Sequence, residues 1–318
     1  MRLVVLIPVF DDWTSLQQLL PQLGECLASA ALVADVVVVD DWSIEPPSAG
    51  LLDQAGGGIA SVTIVRLKRN LGHQRAICIG LCHVQAALPE IDAVVVMDGD
   101  GEDRPEYIHD LVEAARTSHL GAVVFAARKR RSEGVLFALF YRLYLLLHLV
   151  LTGRAVRVGN FSLVPARFLA ALTMHPNLWN HFAATIYNSR IPYRLTATAR
   201  GRRLAGRGKL SFVNLVTHGL SAIACYGETV CVRLLIGSFL LQALLAAAML
   251  ALALFGVWGM SPCPWAMAFL WLAFLAVVPF SASALLFCIL LLSFRRAEPV
   301  PPVSHYQQFI ESVHRGRG

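Results

Sequence analysis

Residues 93–106 read AVVVMDGDGEDRPE. The apolar start is short, β-branched and uninterrupted, which is the pattern of a strand covered on both faces. It stops at Asp98-Gly99-Asp100, a turn with two carboxylates two residues apart, and Pro105-Glu106 then opens a helix. In a mostly parallel sheet, ligands bind beyond the C-terminal ends of the strands. A paired-carboxylate turn at that place can hold a hard cation through oxygen, and with no soft ligand nearby Mg²⁺ or Mn²⁺ suits it.

The same grammar recurs on either side. Strands are expected at 3–8 (LVVLIP), 35–39 (DVVVV), 62–67 (VTIVRL), 93–97 (AVVVM) and 122–126 (AVVFA), with helices over 14–31, 74–87 and 105–118. Alternation of this kind predicts an α/β fold, Rossmann-like, with a mostly parallel sheet. The other strand ends are polar too: Pro8-Val9-Phe10-Asp11-Asp12, Asp40-Asp41-Trp42-Ser43, and Arg69-Asn70-Leu71-Gly72-His73-Gln74. One acidic turn could be an ordinary helix cap. Three acidic turns on one sheet edge point to a site. His73 is placed as a diphosphate neighbour or as a loop-stabilising hydrogen-bonding group.

The second half differs in kind. The 318-residue chain is 56% hydrophobic and only 15% charged, with a mean hydropathy of +0.59; soluble domains average about 25% charged residues. From Leu234 to Phe294 there are 61 residues without Asp, Glu, Lys, Arg or His, enough for two crossings at roughly 20 residues each. These are expected over 234–260 and 265–294. Residues 134–152 are apolar but carry Arg142 and His148. A central Arg is costly in a spanning helix, so an interfacial amphipathic helix is expected. Arg233 precedes the first span and Arg295-Arg296 follow the second, so the positive-inside rule puts both ends, and the catalytic domain, in the cytoplasm. The expected organisation is a domain over 1–230, two transmembrane helices within 231–294, and a mobile cytoplasmic tail over 295–318. Residues 1–12 are read as a buried strand and not as a signal peptide, because the apolar run is too short and meets Asp11-Asp12.

Charge is also segregated. The net charge is +6 and the pI about 9.1. Eighteen of the 21 acids precede residue 134, and the 94 residues from Gly134 to Gly227 hold none, against 11 Lys and Arg. Beside a membrane segment, such a stretch suits lipid head groups or phosphate ligands. No aromatic-basic module accompanies it, so nucleic acid is set aside as a partner. The seven cysteines form no CxxC pair, so reduced, buried thiols are expected, with Cys78, Cys82 and His83 as core.

With these motifs in hand, the chain resembles the family 2 glycosyltransferases of the GT-A fold. Within them it is similar to the polyprenyl-phosphate glycosyltransferases related to dolichol-phosphate mannose synthase. The matching segments are VVLIPVFDD (4–12), VVVVDDWS (36–43), RNLGHQRA (69–76), VVVMDGDGEDRPE (94–106) and RRLAGRGKLS (202–211). The resemblance implies transfer of one sugar from a UDP- or GDP-sugar to a polyprenyl phosphate, with inversion and with a metal. It implies that Pro8, Phe10 and Asp12 line the base and ribose pocket, that Asp40 or Asp41 holds the nucleoside, and that Asn70 and Asp98 join the nucleotide-sugar set. Asp98, Asp100 and Glu102 would face the metal; Glu102 stands where relatives usually have Gln. Asp100, Arg203 and Lys209 would be catalytic, the last two from an Arg-x-x-Gly-x-x-Lys element closing over the diphosphate. Arg128 and Arg131 would meet the lipid phosphate, or else form a membrane-surface patch. Trp179, Asn180 and His181 are candidates for the acceptor pocket or for the core. Nothing sets the oligomeric state, so a homo-oligomer stays open.

One position departs from the family. Relatives often have Asp before the Phe of a Gly-Asp-Phe element; here the segment is Gly159-Asn160-Phe161. An amide is no general base. A phosphomonoester has its second pKa near 6 and is mostly dianionic at pH 7, so a phosphate acceptor needs none. A processive polysaccharide synthase would need further carboxylates and a Gln-x-x-Arg-Trp element that are absent. A non-catalytic nucleotide-sugar-binding membrane protein is the other alternative. A dinucleotide oxidoreductase fails, because Gly56-Gly57-Gly58 precedes a strand.

Overall fold

The computed structural model describes residues 1–47, 50–53, 56–128, 135–154, 158–206, 212–257, 264–294 and 300–317. They fall into two compact units. The first comprises Met1–Leu139, Val156–Cys225 and Val300–Gly318; the second comprises Phe140–Ala155 and Tyr226–Pro299.

The first unit is built on β1 (Arg2–Val9), α1 (Trp13–Ser29), β2 (Val33–Asp40), β3 (Ile59–Leu67), α2 (His73–Ala87), β4 (Ala93–Val96), α3 (Tyr107–Thr117) and β5 (Val123–Arg128). After α4 (Val135–Thr152), which runs into the second unit, come β6 (Ser162–Pro165), α5 (Leu169–Thr173), α6 (Phe182–Asn188), β7 (Tyr193–Thr198) and α7 (Phe212–Ala224). The eight-stranded sheet has the order β7-β5-β6-β4-β1-β2-β3-β8. Strands β4, β1, β2 and β3 run parallel, as do β5 and β7, whereas β6 and β8 (Ile310–Arg317) are antiparallel to their neighbours. This is the mostly parallel α/β architecture that the valine runs predict.

Side chains alternate across a strand, so one strand feeds two cores. In β1, Leu3, Val5, Ile7 and Val9 join Leu16, Leu20 and Leu23 of α1 on one face. Val4 and Leu6 join Ile77, Cys78 and Leu81 of α2 on the other. Cys78 and Cys82 are fully buried, in keeping with a core role.

Register then builds the site edge. Val9 lies opposite Asp40, and Asp40 opposite Arg66. The C-terminal ends of three parallel strands therefore share one row.

The second unit holds α8 (Gly227–Val257) and α9 (Pro264–Phe294). Within them Gly227–Leu254 and Trp265–Leu291 are long and apolar enough to cross a membrane, and little of either is buried inside protein. The first helix begins seven residues before the expected span. Arg233 Nη1 donates to the Val150 carbonyl at 2.9 Å. It lies in a groove of about 700 Å³ whose other lining includes Leu151, Leu241, Val277 and Phe280. His148 is buried, with the Arg154 carbonyl 2.8 Å from Nδ1. Leu143, Leu146, Leu147 and Val150 of α4 are exposed.

Two sequence expectations are corrected. Residues 310–317 are not a mobile tail. They pair with β3 from Ser61↔Arg317 to Leu67↔Ile310 and so rejoin the first unit. The cysteines are not all free thiols either: Cys231 and Cys288 form a disulfide, with Cα atoms 5.6 Å apart. Two long helices bring residues 57 apart to one level, which spacing along the chain does not reveal.

Candidate functional site

Five segments converge at the C-terminal ends of β1 to β4: residues 10–13, 40–45, 69–74, 98–103 and 200–205. Asp11 (φ 48) and Trp42 (φ 67) adopt left-handed backbone there, a conformation that costs a non-glycine residue free energy and gathers at functional sites. Phe10 and Trp42 stand 39% and 48% exposed, apolar side chains open to solvent at two of these strand ends. Pro8 is buried inside β1.

The 40–45 turn is held by its own acids. Asp40 is 1% exposed. It accepts the Ser43 amide at 2.8 Å and a guanidinium N–H of Arg66 at 3.1 Å. Asp41, also buried, accepts the amides of Leu71 and Gly72 at 2.7 and 2.8 Å, which ties the 69–74 loop to the 40–45 turn beside exposed Asn70. Burial pushes the Asp41 carboxyl up to about 6, although the two amides pull it down. Asp11 accepts the Ile44 amide at 2.7 Å, and its own amide donates to Ser43 Oγ at 2.8 Å.

The acidic turn after β4 holds four carboxylates in six residues. Asp103 Oδ2 accepts the Asp98 amide at 2.9 Å, and Asp100 Oδ1 accepts the Glu102 amide at 3.0 Å. Gly101 takes φ +85, and a Cβ there would lie 2.4 Å from Leu204 Cγ; this is where the 200–205 segment seats. Two backbone bonds clamp that segment, Gly201 N–H to Glu102 O at 2.8 Å and Leu204 N–H to Asp100 O at 2.9 Å. Arg203 then bridges two strand ends, bonding Asp100 Oδ2 at 2.9 Å through Nη1 and Asp12 Oδ2 through Nη2. Arg200 pairs with Glu102. Burial raises the Asp100 carboxyl pKa, its amide bond from Glu102 opposes this, Asp98 and Glu102 reinforce it, and Arg203 offsets part.

Behind Asp98 lies a chain of amides. The Phe182 amide donates to Gln74 Oε1 at 2.7 Å, which leaves Gln74 Nε2 to donate to Asn160 Oδ1 at 3.1 Å. Asn160 Nδ2 therefore donates to His73 Nε2 at 2.9 Å. Since a backbone N–H can only donate, it fixes both amide orientations. The same His73 nitrogen is 3.2 Å from Asp98 Oδ1. With Nε2 bare, His73 accepts from Asn160; with Nε2 protonated, it donates to Asp98 instead. Desolvation disfavours the charge, but the Asp98, Asp103 and Asp41 carboxylates raise the His73 pKa on balance. His218 of α7 stacks on His181 with ring centroids 4.5 Å apart. Burial lowers its pKa, His73 lowers it further, and Asp98 opposes this.

Sequence candidates Asp12, Asp98, Asp100, Glu102 and Arg203 are thus brought together, with Asp40, Asp41 and Asn70 alongside. Arg131 and Lys209, and the side chain of Arg128 at the end of β5, lie outside the described residues. His181 is buried and caps α6, and Trp179 packs edge-on against Phe309. The sequence reading missed Arg66, Gln74, Arg200 and His218. Gln74 was visible within RNLGHQRA; the others carry no local signal.

Among the described residues no three His, Cys, Asp or Glu side chains are grouped to hold a metal ion. Asp98 and Asp100 carry hard oxygen donors, the ligand class that Mg²⁺ and Mn²⁺ take, usually one or two carboxylates with substrate phosphates and water completing the shell.

The family model for glycosyl transferase family 2 matches residues 4–171, more than half of the chain. Undecaprenyl-phosphate 4-deoxy-4-formamido-L-arabinose transferase of Erwinia tasmaniensis is 31% identical over 42% of this chain and 38% of its own. The protein of that name in Salmonella choleraesuis is 25% identical over 79% of this chain and 77% of its own. The chain thus spans about two fifths of the first relative's length. Among solved structures, mannosyl-3-phosphoglycerate synthase from Rubrobacter xylanophilus aligns with a TM-score of 0.49 at 14% identity, over 71% of this chain and 72% of that one. Matched over residues 4–171, the strands and acidic turns that build the site included, the chain belongs to the family 2 glycosyltransferases.

Proposed function

We propose that the protein transfers one sugar from a nucleotide-sugar donor to a polyprenyl phosphate. The observation that carries this reading is Arg203 bridging Asp12 and Asp100 across two strand ends. In this reading the bridging cation lies where a departing diphosphate gathers charge, between a nucleoside-side acid and the acidic turn. The names of the relatives support the acceptor class.

In this reading Phe10 and Trp42 flank the base, and Asp40 and Asp41 fix the turn that meets the nucleoside. Asp98 and Asp100 would hold Mg²⁺ or Mn²⁺, which when bound neutralises charge on the leaving diphosphate. Arg203 supplies preorganised positive charge to the same group. An acceptor phosphate oxygen attacks the anomeric carbon; the carbon–oxygen bond to the diphosphate breaks, and the nucleoside diphosphate leaves with the electron pair. No proton has to be removed from a dianionic acceptor, which accords with Asn160 in place of an acid. The arginines that flank the two apolar helices support a cytoplasmic site.

The test is lipid glycosylation by the purified full chain in detergent, with radiolabelled UDP- and GDP-sugars, undecaprenyl phosphate, and Mg²⁺ or Mn²⁺. Label should enter the lipid phase, vanish with chelator, and vanish in Asp100→Ala. Donor binding with no lipid label from any donor would overturn the acceptor assignment. Label in a neutral hydroxyl acceptor would overturn the account of Asn160.

A further inference from the structure

We infer that the C-terminal strand is part of the donor site, with Arg66 and Glu311 as positioning residues that hold the 40–45 turn. The inference rests on the donor-site reading above and extends it to residues 245 positions apart.

Arg66 is the node. Its Nη1 donates to Asp40 Oδ2 at 3.1 Å, its Nη2 to the Ser43 carbonyl at 3.2 Å, and its Nε to Glu311 Oε2 at 3.1 Å. The first two bonds fix both ends of the turn that also carries Asp41 and Trp42. Ser43 passes the constraint on, because its hydroxyl accepts the Asp11 amide. One guanidinium thereby aligns segments from β1, β2 and β3.

The strand β8 is shaped for this. Its register with β3 runs without a break until Arg66↔Ser312, then moves to Leu67↔Ile310. Glu311 is the extra residue, a β-bulge. Without it Glu311 would lie opposite Leu67 and point to the other face of the sheet, since faces alternate along a strand. Bulges commonly re-aim a side chain next to a site. Here the bulge turns a carboxylate toward Arg66 and leaves the guanidinium bonded at three of its edges. Asp40, being buried, needs that partner; Glu311 is 51% exposed and Arg66 29%. The outer pair therefore orients the arginine more than it stabilises the fold.

The experiment is titration of the full chain in detergent with UDP and GDP, with steady-state kinetics on whichever donor is active. Glu311→Gln should weaken nucleotide binding and raise donor KM by about two- to fivefold, the range of a partly exposed ion pair. It should leave kcat, acceptor KM and the melting temperature unchanged. Glu311→Asp should recover at least half of the loss. Arg66→Lys, which keeps the charge but loses the fork, should cost about tenfold in binding. Glu113→Gln, which removes a remote surface pair with Arg116, serves as control and should change nothing. Wild-type binding in Glu311→Gln, or a loss matched by an equal fall in thermal stability, would overturn the inference. Asp40→Asn separates the two levels. If it leaves nucleotide binding intact, the donor-site reading fails; if it weakens binding while Glu311→Gln does not, only the role of β8 fails.

Discussion

Gly101→Ala is the most incisive single perturbation of the site, because two independent costs act at one atom. Gly101 sits at φ +85, and a left-handed backbone costs an L-residue about 1–2 kcal/mol. The new Cβ would also lie 2.4 Å from Leu204 Cγ and 2.8 Å from Cδ1. Both are well inside van der Waals contact, and overpacking of this kind costs about 1–3 kcal/mol. The sum is about 2–5 kcal/mol, which lowers the melting temperature by roughly 5–15 °C for a unit of this size. Function should suffer too. Leu204 follows Arg203 and donates its amide to Asp100, so pushing it away moves the guanidinium off the carboxylate. A loss of about 1.4 kcal/mol of transition-state stabilisation is tenfold in kcat/KM, and at least that is expected. Gly50→Ala is the matched control: its φ is +78, and among the described residues only Asp53 Oδ2, at 3.9 Å, is near the added methyl. It carries the backbone cost alone and should melt about 2–6 °C lower, with wild-type turnover. The measurements are melting by intrinsic fluorescence and donor kcat/KM in detergent. If Gly101→Ala matches Gly50→Ala in both, the seating of Leu204 against the acidic turn is wrong.

Other outcomes can be checked alongside. Asp41 has a folded pKa of about 6, above its unfolded value, so its stabilising contribution is present at low pH and is lost as pH rises through about 6. Relative to Asp41→Asn, the wild type should therefore be more stable at pH 5 than at pH 7.5 by about 1 kcal/mol, read from paired melts. Arg203→Ala removes the shared partner of Asp12 and Asp100; donor kcat/KM should fall by about a hundredfold, the scale of a lost preorganised charge, with kcat carrying most of the change. Asn160→Asp replaces a donor to His73 with an acceptor and adds a carboxylate beside Asp98. It should lower transfer to a phosphate acceptor about tenfold, the scale of one buried hydrogen bond, and confer no transfer to hydroxyl acceptors; a gain with hydroxyl acceptors would refute the reading of this position.

Strands β1 to β5 were legible because valine-rich runs flanked by polar turns leave few alternatives, and the acids at their ends were legible by position. Strands β6 to β8 were not. Ser162–Pro165 is only four residues long, Tyr193–Thr198 is largely exposed, and the last strand reads IESVHRGR. Edge strands carry polar and charged side chains as protection against unwanted pairing, which erases the hydrophobic signal that sequence reading uses. The same limit applies within the site. Asp98, Asp100 and Arg203 announce themselves through local motifs, whereas Arg66 looks like an ordinary strand residue until Glu311 is folded back beside it. Gln74 was visible in its motif, but its role depends on the Phe182 amide, 108 positions on.

The antiparallel strand at the sheet edge has a consequence for how the molecule is made. Leu67 pairs with Ile310, so the partner of β3 emerges only after both long apolar helices have been synthesised. Until then β3 offers a row of unpaired N–H and C=O groups, the kind of open template that recruits foreign strands. Pairings between segments this remote form late, because loop closure precedes any gain from contact. Completion of the sheet is thus deferred until the hydrophobic segment has left the ribosome, and a chain stalled before residue 310 would expose a sticky edge.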